Sequence, residues 1–162
     1  MVPSGGWPSS RPRPSVAAVL AILDISTGYK IVGLLHILAA IVAFGPLFLY
    51  PALQRAGAGA RIARLHLRMT LPALAVTWAL GMGLVGMSKP DGSDVAIFKM
   101  SQTWIVLALI AWAILMLVSW FLIRPALSDD SPTARSRLAS GVGISHLLLV
   151  VLLYLMVFKP GL

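Results

Sequence analysis

Four long apolar stretches constrain the fold of this chain more than any other feature of its sequence. They run from about Tyr29 to Leu53, Met69 to Met87, Trp104 to Ile123, and Val142 to Phe158. Each has close to the roughly 20 residues that a helix needs to cross about 30 Å of hydrocarbon. Only 11% of the residues are charged and the mean hydropathy is +0.91, whereas about a quarter of the residues of a soluble domain are charged. We therefore expect residues 28–162 to form a single integral membrane domain.

Short connections join these stretches, which makes consecutive helices antiparallel neighbours. The sequence thus predicts an all-α, up-down-up-down four-helix bundle. The first connection contains four basic residues and no acid: Arg55, Arg61, Arg64 and Arg68. Because basic residues accumulate in cytoplasmic loops, this connection is predicted to be cytoplasmic and both termini to lie outside. The expected location is the plasma membrane of a bacterium.

The N-terminal region precedes the first span. Residues 1–14 are rich in Pro, Gly, Ser and Arg, which predicts a disordered tail. Residues 15–27 include the apolar run Val16–Leu23, which is too short to cross the bilayer. No small-residue cleavage site follows this run, so an interfacial or re-entrant helix is favoured over a signal peptide. Asp24, Ser26 or Thr27 can then cap the first span.

Composition excludes several classes of function. The chain has no cysteine, which rules out disulfides, zinc–thiolate sites and iron–sulfur clusters. None of its five acidic residues lies in a span, which disfavours proton-coupled transport. The net charge of +8 comes from basic residues beside the spans, without a nucleic-acid-binding motif. The expected partners are the lipid bilayer, other membrane subunits or a second copy of the chain, and not nucleic acid.

Two histidines lie within the spans, where an unpaired polar side chain is costly. His36 is in the first span and His146 in the fourth. Neutral imidazole is the usual protein ligand of haem iron. The alternative is an interhelical hydrogen bond, for example from His146 to a neighbouring backbone carbonyl or to Thr77. Because the first and fourth spans run in opposite directions, the two histidines are offset by about 10 Å, which argues against a shared haem.

Other polar and aromatic residues allow two interpretations each. Arg68, at the mouth of the second span, can hold a carboxylate or propionate, or extend to lipid phosphate. His66, in the basic connection, is predicted to face solvent or headgroups. Trp78 and Trp112 lie mid-span, where they can wall a flat cofactor or pack in the core.

Small residues recur on the second span at i, i+4 spacing: Ala75, Ala79 and Gly83. Such residues let the backbones of two membrane helices approach closely. We therefore expect the second span to pack tightly through Ala79 and Gly83.

Several of these motifs resemble one family. His36 followed by 44–51 (FGPLFLYP) resembles the first helix of HemJ-type protoporphyrinogen oxidases, where a histidine precedes a glycine-aromatic-leucine-proline stretch. Arg68 with 72–74 (PAL) and 77–81 (TWALG) is similar to the second helix of that family. The ending MVFKP is similar to its terminal Val-Lys-Pro. The pattern also resembles uncharacterised four-span "predicted integral membrane protein" families and, more distantly, CopD-type membrane domains.

The HemJ resemblance implies a b-type haem near His36, with Arg68 close to the tetrapyrrole, and oxidation of protoporphyrinogen. The sequence departs from that family in two places. The third helix lacks the expected histidine and lysine, and 134–137 (ARSR) replaces an Asn-Glu-x-Pro segment. We therefore expect a non-catalytic membrane module or accessory subunit. The alternative is a haem b-binding oxidoreductase, with His36, His146 and Arg68 as candidate haem-binding residues and no metal or catalytic residue assigned.

Overall fold

A computed structural model describes residues 26–89, 96–129 and 131–161, and the structural statements below concern these residues. This part of the chain is all-helical and contains four long apolar helices. They are α1 (Thr27–Arg55), α2 (Gly59–Gly86), α3 (Thr103–Ala126) and α4 (Pro132–Phe158). Each is long and apolar enough to cross a membrane. The prediction of a multi-pass membrane protein is confirmed. The predicted tail 1–14 and nearly all of the segment 15–27 lie outside the described residues.

The surface of the four helices is suited to lipid. Large apolar side chains are widely exposed, among them Ile37 at 58%, Phe121 at 70% and Leu147 at 65%. A soluble monomer rarely exposes apolar surface on this scale. Hydrocarbon covers such side chains without cost, so the exposed faces of α1, α3 and α4 contact the bilayer.

The first helix begins and ends at well-defined signals. Ser26 is its N-cap, because the Ser26 hydroxyl accepts a hydrogen bond from the Tyr29 N–H at 3.3 Å. The helix then continues through Pro46 and Pro51 to Arg55. Three residues connect it to α2, with Gly57 at φ +69°, a left-handed conformation that favours glycine.

The second and fourth helices begin about ten residues earlier than hydropathy predicted. The predicted starts were Met69 and Val142, whereas the helices start at Gly59 and Pro132. The first turns of both helices are too polar for hydrocarbon but are stable as helix at its edge. In α4 the start is fixed by Ser131, whose hydroxyl accepts from the N–H of residue 134 at 3.2 Å. Hydropathy thus located the apolar part of each helix and not its full length.

Two π-helical turns interrupt the regular helices, His66–Thr70 in α2 and Val118–Ile123 in α3. A proline follows each turn closely, Pro72 and Pro125. Proline has no N–H, and its ring clashes with the carbonyl four residues earlier in a regular α-helix. A wider turn, with bonds that reach five residues back, relieves this clash.

Helix α1 packs along α2, and α3 packs along α4. Contacts between α1 and α2 run in opposite chain directions: His36 lies against Gly81, and Tyr50 bonds to His66. The same holds between α3 and α4, where Ile123 lies against Gly141. Helices α1 and α4 also touch, near the end of α1 and the beginning of α4.

The small residues of α2 do not all pack as predicted. Ala75 and Ala79 are exposed, so the expected close contact through Ala79 is wrong within this chain. At Gly83 an added Cβ would lie 3.9 Å from the Val32 side chain, which is an ordinary contact. Thr77 and Gly81, on a different face of the same regular helix, contact α1 instead.

Close helix approach occurs at two other glycines. A Cβ on Gly81 would lie 3.1 Å from Cε1 of His36, and a Cβ on Gly141 would lie 2.6 Å from Cγ1 of Ile123. Ile123 is fully buried. Any side chain at position 141 would therefore force the α3 and α4 backbones or the Ile123 side chain to move.

Candidate functional site

Four fully buried polar residues meet between the two π turns. His66 and Thr70 are the first and last residues of the α2 turn, Ser119 lies in the α3 turn, and Tyr50 projects from α1. We call these four residues the polar core. Three of the four membrane helices contribute to it, so it joins the last turns of α1, the first turns of α2 and the last turns of α3.

The hydrogen bonds of the polar core have one consistent direction. Nε2 of His66 lies 3.3 Å from the Ser119 carbonyl, which can only accept, so Nε2 carries the proton. Nδ1 of His66 then accepts from the Tyr50 hydroxyl at 3.3 Å. Because Tyr50 donates its single proton there, it accepts from the Thr70 hydroxyl at 3.1 Å. The chain of bonds needs no buried charge.

The prediction that His66 faces solvent or headgroups is wrong. The imidazole is fully buried. Since α2 starts at Gly59, His66 lies about two turns inside the helix rather than in a connection. A sequence signal for this was available, because His66 and Thr70 are four residues apart just before Pro72 and share one helix face.

His36 joins α1 to α2. Its Nδ1 donates to the Thr77 carbonyl at 2.8 Å, and the ring is half-buried against Gly81. It is an interhelical hydrogen bond, which was the predicted alternative to haem ligation for a histidine within a span. The same bond fixes the tautomer in which Nε2 carries the lone pair, and metal-ligating histidines commonly have this arrangement.

His146 is held differently. Its ring stacks on Phe48, with the centroids 4.2 Å apart and the planes at 27°. Nε2 of His146 is buried without a hydrogen-bond partner among the described residues. The suggested bond to Thr77 is wrong, because the Thr77 hydroxyl donates to the Ala73 carbonyl and its carbonyl accepts from His36.

The three candidate haem residues do not come together. His146 lies level with Phe48, which is twelve residues beyond His36 in α1, or about 18 Å along the helix. This offset exceeds the predicted one and prevents both histidines from ligating one iron. Arg68 is exposed and lies nine residues before Thr77 in α2, about 14 Å along the axis from the His36 bond. Only His36 retains a ligand-competent geometry.

The mid-span tryptophans pack on each other. The rings of Trp78 and Trp112 are stacked with centroids 5.5 Å apart. Nε1 of Trp112 donates to the Leu74 carbonyl at 3.2 Å, which ties α3 to α2. Trp78 is 42% exposed, so the pair packs at the surface of the helices and not in the core. The direct stacking leaves no room for a cofactor between the two rings.

A cavity of about 260 Å³ opens between α1 and α4. Its lining includes Tyr50 and Gln54 from α1, and Leu138, Val142, Gly143 and His146 from α4. The cavity therefore borders the polar core through Tyr50. His146 also lines it, although Nε2 of the ring is buried. The side chains that line it are uncharged.

Within the described ranges, no three His, Cys, Asp or Glu side chains are grouped so that they could hold a metal ion. No family model, curated protein or solved structure matches the chain.

Proposed function

We propose that this chain is a small polytopic membrane protein that acts as a non-catalytic membrane module or as an accessory subunit of a larger membrane complex. The proposal is supported by the hydrogen bonds that polar side chains within the spans make to neighbouring helices. His36, His66 and Trp112 each bond to a backbone carbonyl of a neighbouring helix. In hydrocarbon such bonds satisfy polar groups and hold helices together. Side chains engaged in this way serve assembly rather than chemistry.

The proposed architecture is an up-down-up-down bundle, preceded by the interfacial segment 15–27. The opposite chain directions of the α1–α2 and α3–α4 contacts support it. The proposed location is a bacterial plasma membrane with both termini outside. The four arginines of the first connection support this orientation through the charge bias of cytoplasmic loops.

The proposed docking face for a partner is the small-residue stripe of α2. Ala75 and Ala79 are exposed there, whereas the opposite face of α2 packs on α1. Small side chains allow a second membrane helix to approach closely and gain van der Waals contact that lipid does not match. A helix of another subunit, or of a second copy of the chain, fits this face.

Replacement of Ala79 by leucine tests the accessory-subunit proposal. In native nanodiscs cut from the membrane, we expect the wild-type protein in an assembly larger than the 17.3 kDa chain. Ala79→Leu should release the single chain, because the added side chain separates the helices. Ala113→Leu, at an exposed alanine of α3, is the matched control and should leave the assembly intact. A wild-type protein that is always a single chain would contradict the proposal.

A haem b-binding oxidoreductase of the HemJ type is the second candidate function. One observation favours it: the His36 bond to Thr77 leaves the Nε2 lone pair that iron ligation requires. The resemblance of 44–51 to the first helix of that family also supports it.

An absorption spectrum of the purified protein separates the two candidates. If His36 ligates haem, the Soret band is lost in His36→Ala and retained in His146→Ala, because His146 lies level with Phe48, about 18 Å along α1 from His36. Under the non-catalytic proposal, we expect no stoichiometric haem. His36→Gln should then keep most of the stability, because the glutamine amide can still donate to the Thr77 carbonyl.

A further inference from the structure

We propose that the cavity between α1 and α4 binds the headgroup region of one anionic phospholipid. This site is separate from the proposed partner face on α2 and does not depend on it. Three features support this proposal: the uncharged lining of the cavity, two arginines at its mouth, and open space beside a glycine.

The inner part of the cavity offers an apolar surface. Its lining includes Leu138 and Val142 and carries no charged side chain. The polar groups beside it are not open to a ligand, because the Tyr50 hydroxyl is engaged with His66 and Thr70 and Nε2 of His146 is buried. An acyl chain, which needs no hydrogen bond, suits such a lining.

The mouth of the cavity is basic on both sides. Nε of Arg55 donates to the carbonyl of Pro51 at 3.2 Å, and Pro51 lines the cavity, so the guanidinium is held at its rim. Arg135 precedes Leu138 by three residues and Val142 by seven, which places it on the cavity face of α4. Both arginines are exposed and offer forked donors that match phosphate oxygens.

An acidic residue near this end of α4 is already engaged. The Asp129 carboxylate accepts from the backbone N–H and the hydroxyl of Ser131 at the start of the helix. The lining of the cavity itself is uncharged. The Asp129 carboxylate keeps its negative charge, but among the described residues at the mouth the two arginines outweigh it, which favours a ligand that is negatively charged overall over a zwitterionic one.

The depths of these groups match the layout of a phospholipid. His146 lies level with Phe48, which precedes Arg55 by seven residues, or about 10 Å. The Arg55 side chain folds back toward Pro51 and shortens this separation. A phosphate bound by Arg55 and Arg135 would thus place its glycerol backbone beside Leu138 and Val142. The acyl chains would continue past His146 into the bilayer.

Gly143 provides the space for such a ligand. A Cβ built on Gly143 meets nothing within 4 Å, although the residue lines the cavity. A leucine at this position would fill the cavity without a clash with the protein. Gly45 of α1 also has open space around it but does not line the cavity, so Gly45→Leu is a matched control.

Native mass spectrometry of the full, delipidated chain with phosphatidylglycerol or phosphatidylcholine tests the proposal. We expect one phosphatidylglycerol per chain, bound about tenfold more tightly than phosphatidylcholine, as expected for one additional charge-assisted hydrogen bond. Gly143→Leu should weaken phosphatidylglycerol binding by about tenfold or more, and Gly45→Leu should not. Combining Arg55→Gln with Arg135→Gln should abolish the preference between the two lipids.

Equal binding of the two lipids, or unchanged binding in Gly143→Leu, would overturn the proposal. So would the absence of any bound lipid, which would mean that water alone fills the cavity. Displacement by millimolar inorganic phosphate would point to a soluble phosphate ligand and would also contradict it. If Gly143→Leu does not fold, Ala139→Leu fills the same cavity from the next turn of α4 and provides the same comparison.

Discussion

Every donor of the imidazole and phenol in the polar core has an acceptor. The bonds run from Thr70 to Tyr50, from Tyr50 to His66 and from His66 to the Ser119 carbonyl. All of these side chains are neutral, so the bilayer-spanning part of the protein avoids the cost of a buried charge. The hydroxyl of Ser119 is the exception, because it is buried without a partner among the described residues.

Removal of one hydroxyl from the polar core tests its contribution to stability. Tyr50→Phe leaves Nδ1 of His66 without a donor, so we expect the free energy of unfolding to fall by about 1 kcal/mol. Tyr154→Phe makes the same chemical change at an exposed tyrosine of α4 and should have little effect. Unfolding of both variants in mixed detergent micelles measures the difference. Equal stability of the two variants would show that the polar core contributes nothing.

At the scale of elements, the two π turns explain how polar atoms from α2 and α3 meet. The turn in α3 directs the Ser119 carbonyl to two donors, the Arg124 N–H in its own helix and Nε2 of His66. The turn in α2 directs His66 and Thr70 inward. Prolines that relax regular helix geometry thus also create the positions in which the helices bond to one another.

The contact of α3 with α4 is most sensitive to substitution at Gly141. Gly141→Ala places a methyl group about 2.6 Å from Ile123, so we expect the free energy of unfolding to fall by about 1–3 kcal/mol. Gly143→Ala, two residues later in the same helix, meets open space and should be neutral or slightly stabilising. Thermal unfolding in detergent compares the two. A loss of stability in Gly143→Ala equal to that in Gly141→Ala would contradict the assignment of the effect to the close approach at Gly141.

At the scale of the whole molecule, the first connection has four arginines and no acid, and this predicts how the protein is oriented in the membrane. The chain has no cysteine, so a single introduced cysteine is labelled uniquely. With the proposed orientation, an impermeant thiol reagent applied to intact cells should label Ser101→Cys and not Ala56→Cys; both positions are exposed. Permeabilised cells should show labelling at both positions, which controls for reactivity. Labelling of Ala56→Cys alone in intact cells would reverse the topology.

The sequence by itself determined the class of the protein and the number of its membrane helices. Roughly 20 consecutive apolar residues have few stable environments other than a bilayer, and this holds for each stretch whatever its neighbours are. The sequence also predicted three candidate N-caps for α1, and one of them, Ser26, is the cap in the structure. The starts of α2 and α4 were not determined, because hydropathy reports the solvent around a helix and not its hydrogen bonds.

Only the tertiary structure decided which polar side chains meet. The sequence singled out His36 and His146 because they lie in apolar surroundings, but it missed His66 because three arginines precede it within eleven residues. Burial of His66 depends on the start of α2 at Gly59, on the rotation introduced by the π turn, and on a carbonyl 53 residues away. A local pattern specifies a helix and its apolar face, whereas a hydrogen bond between helices depends on their relative register, which packing of the whole chain sets.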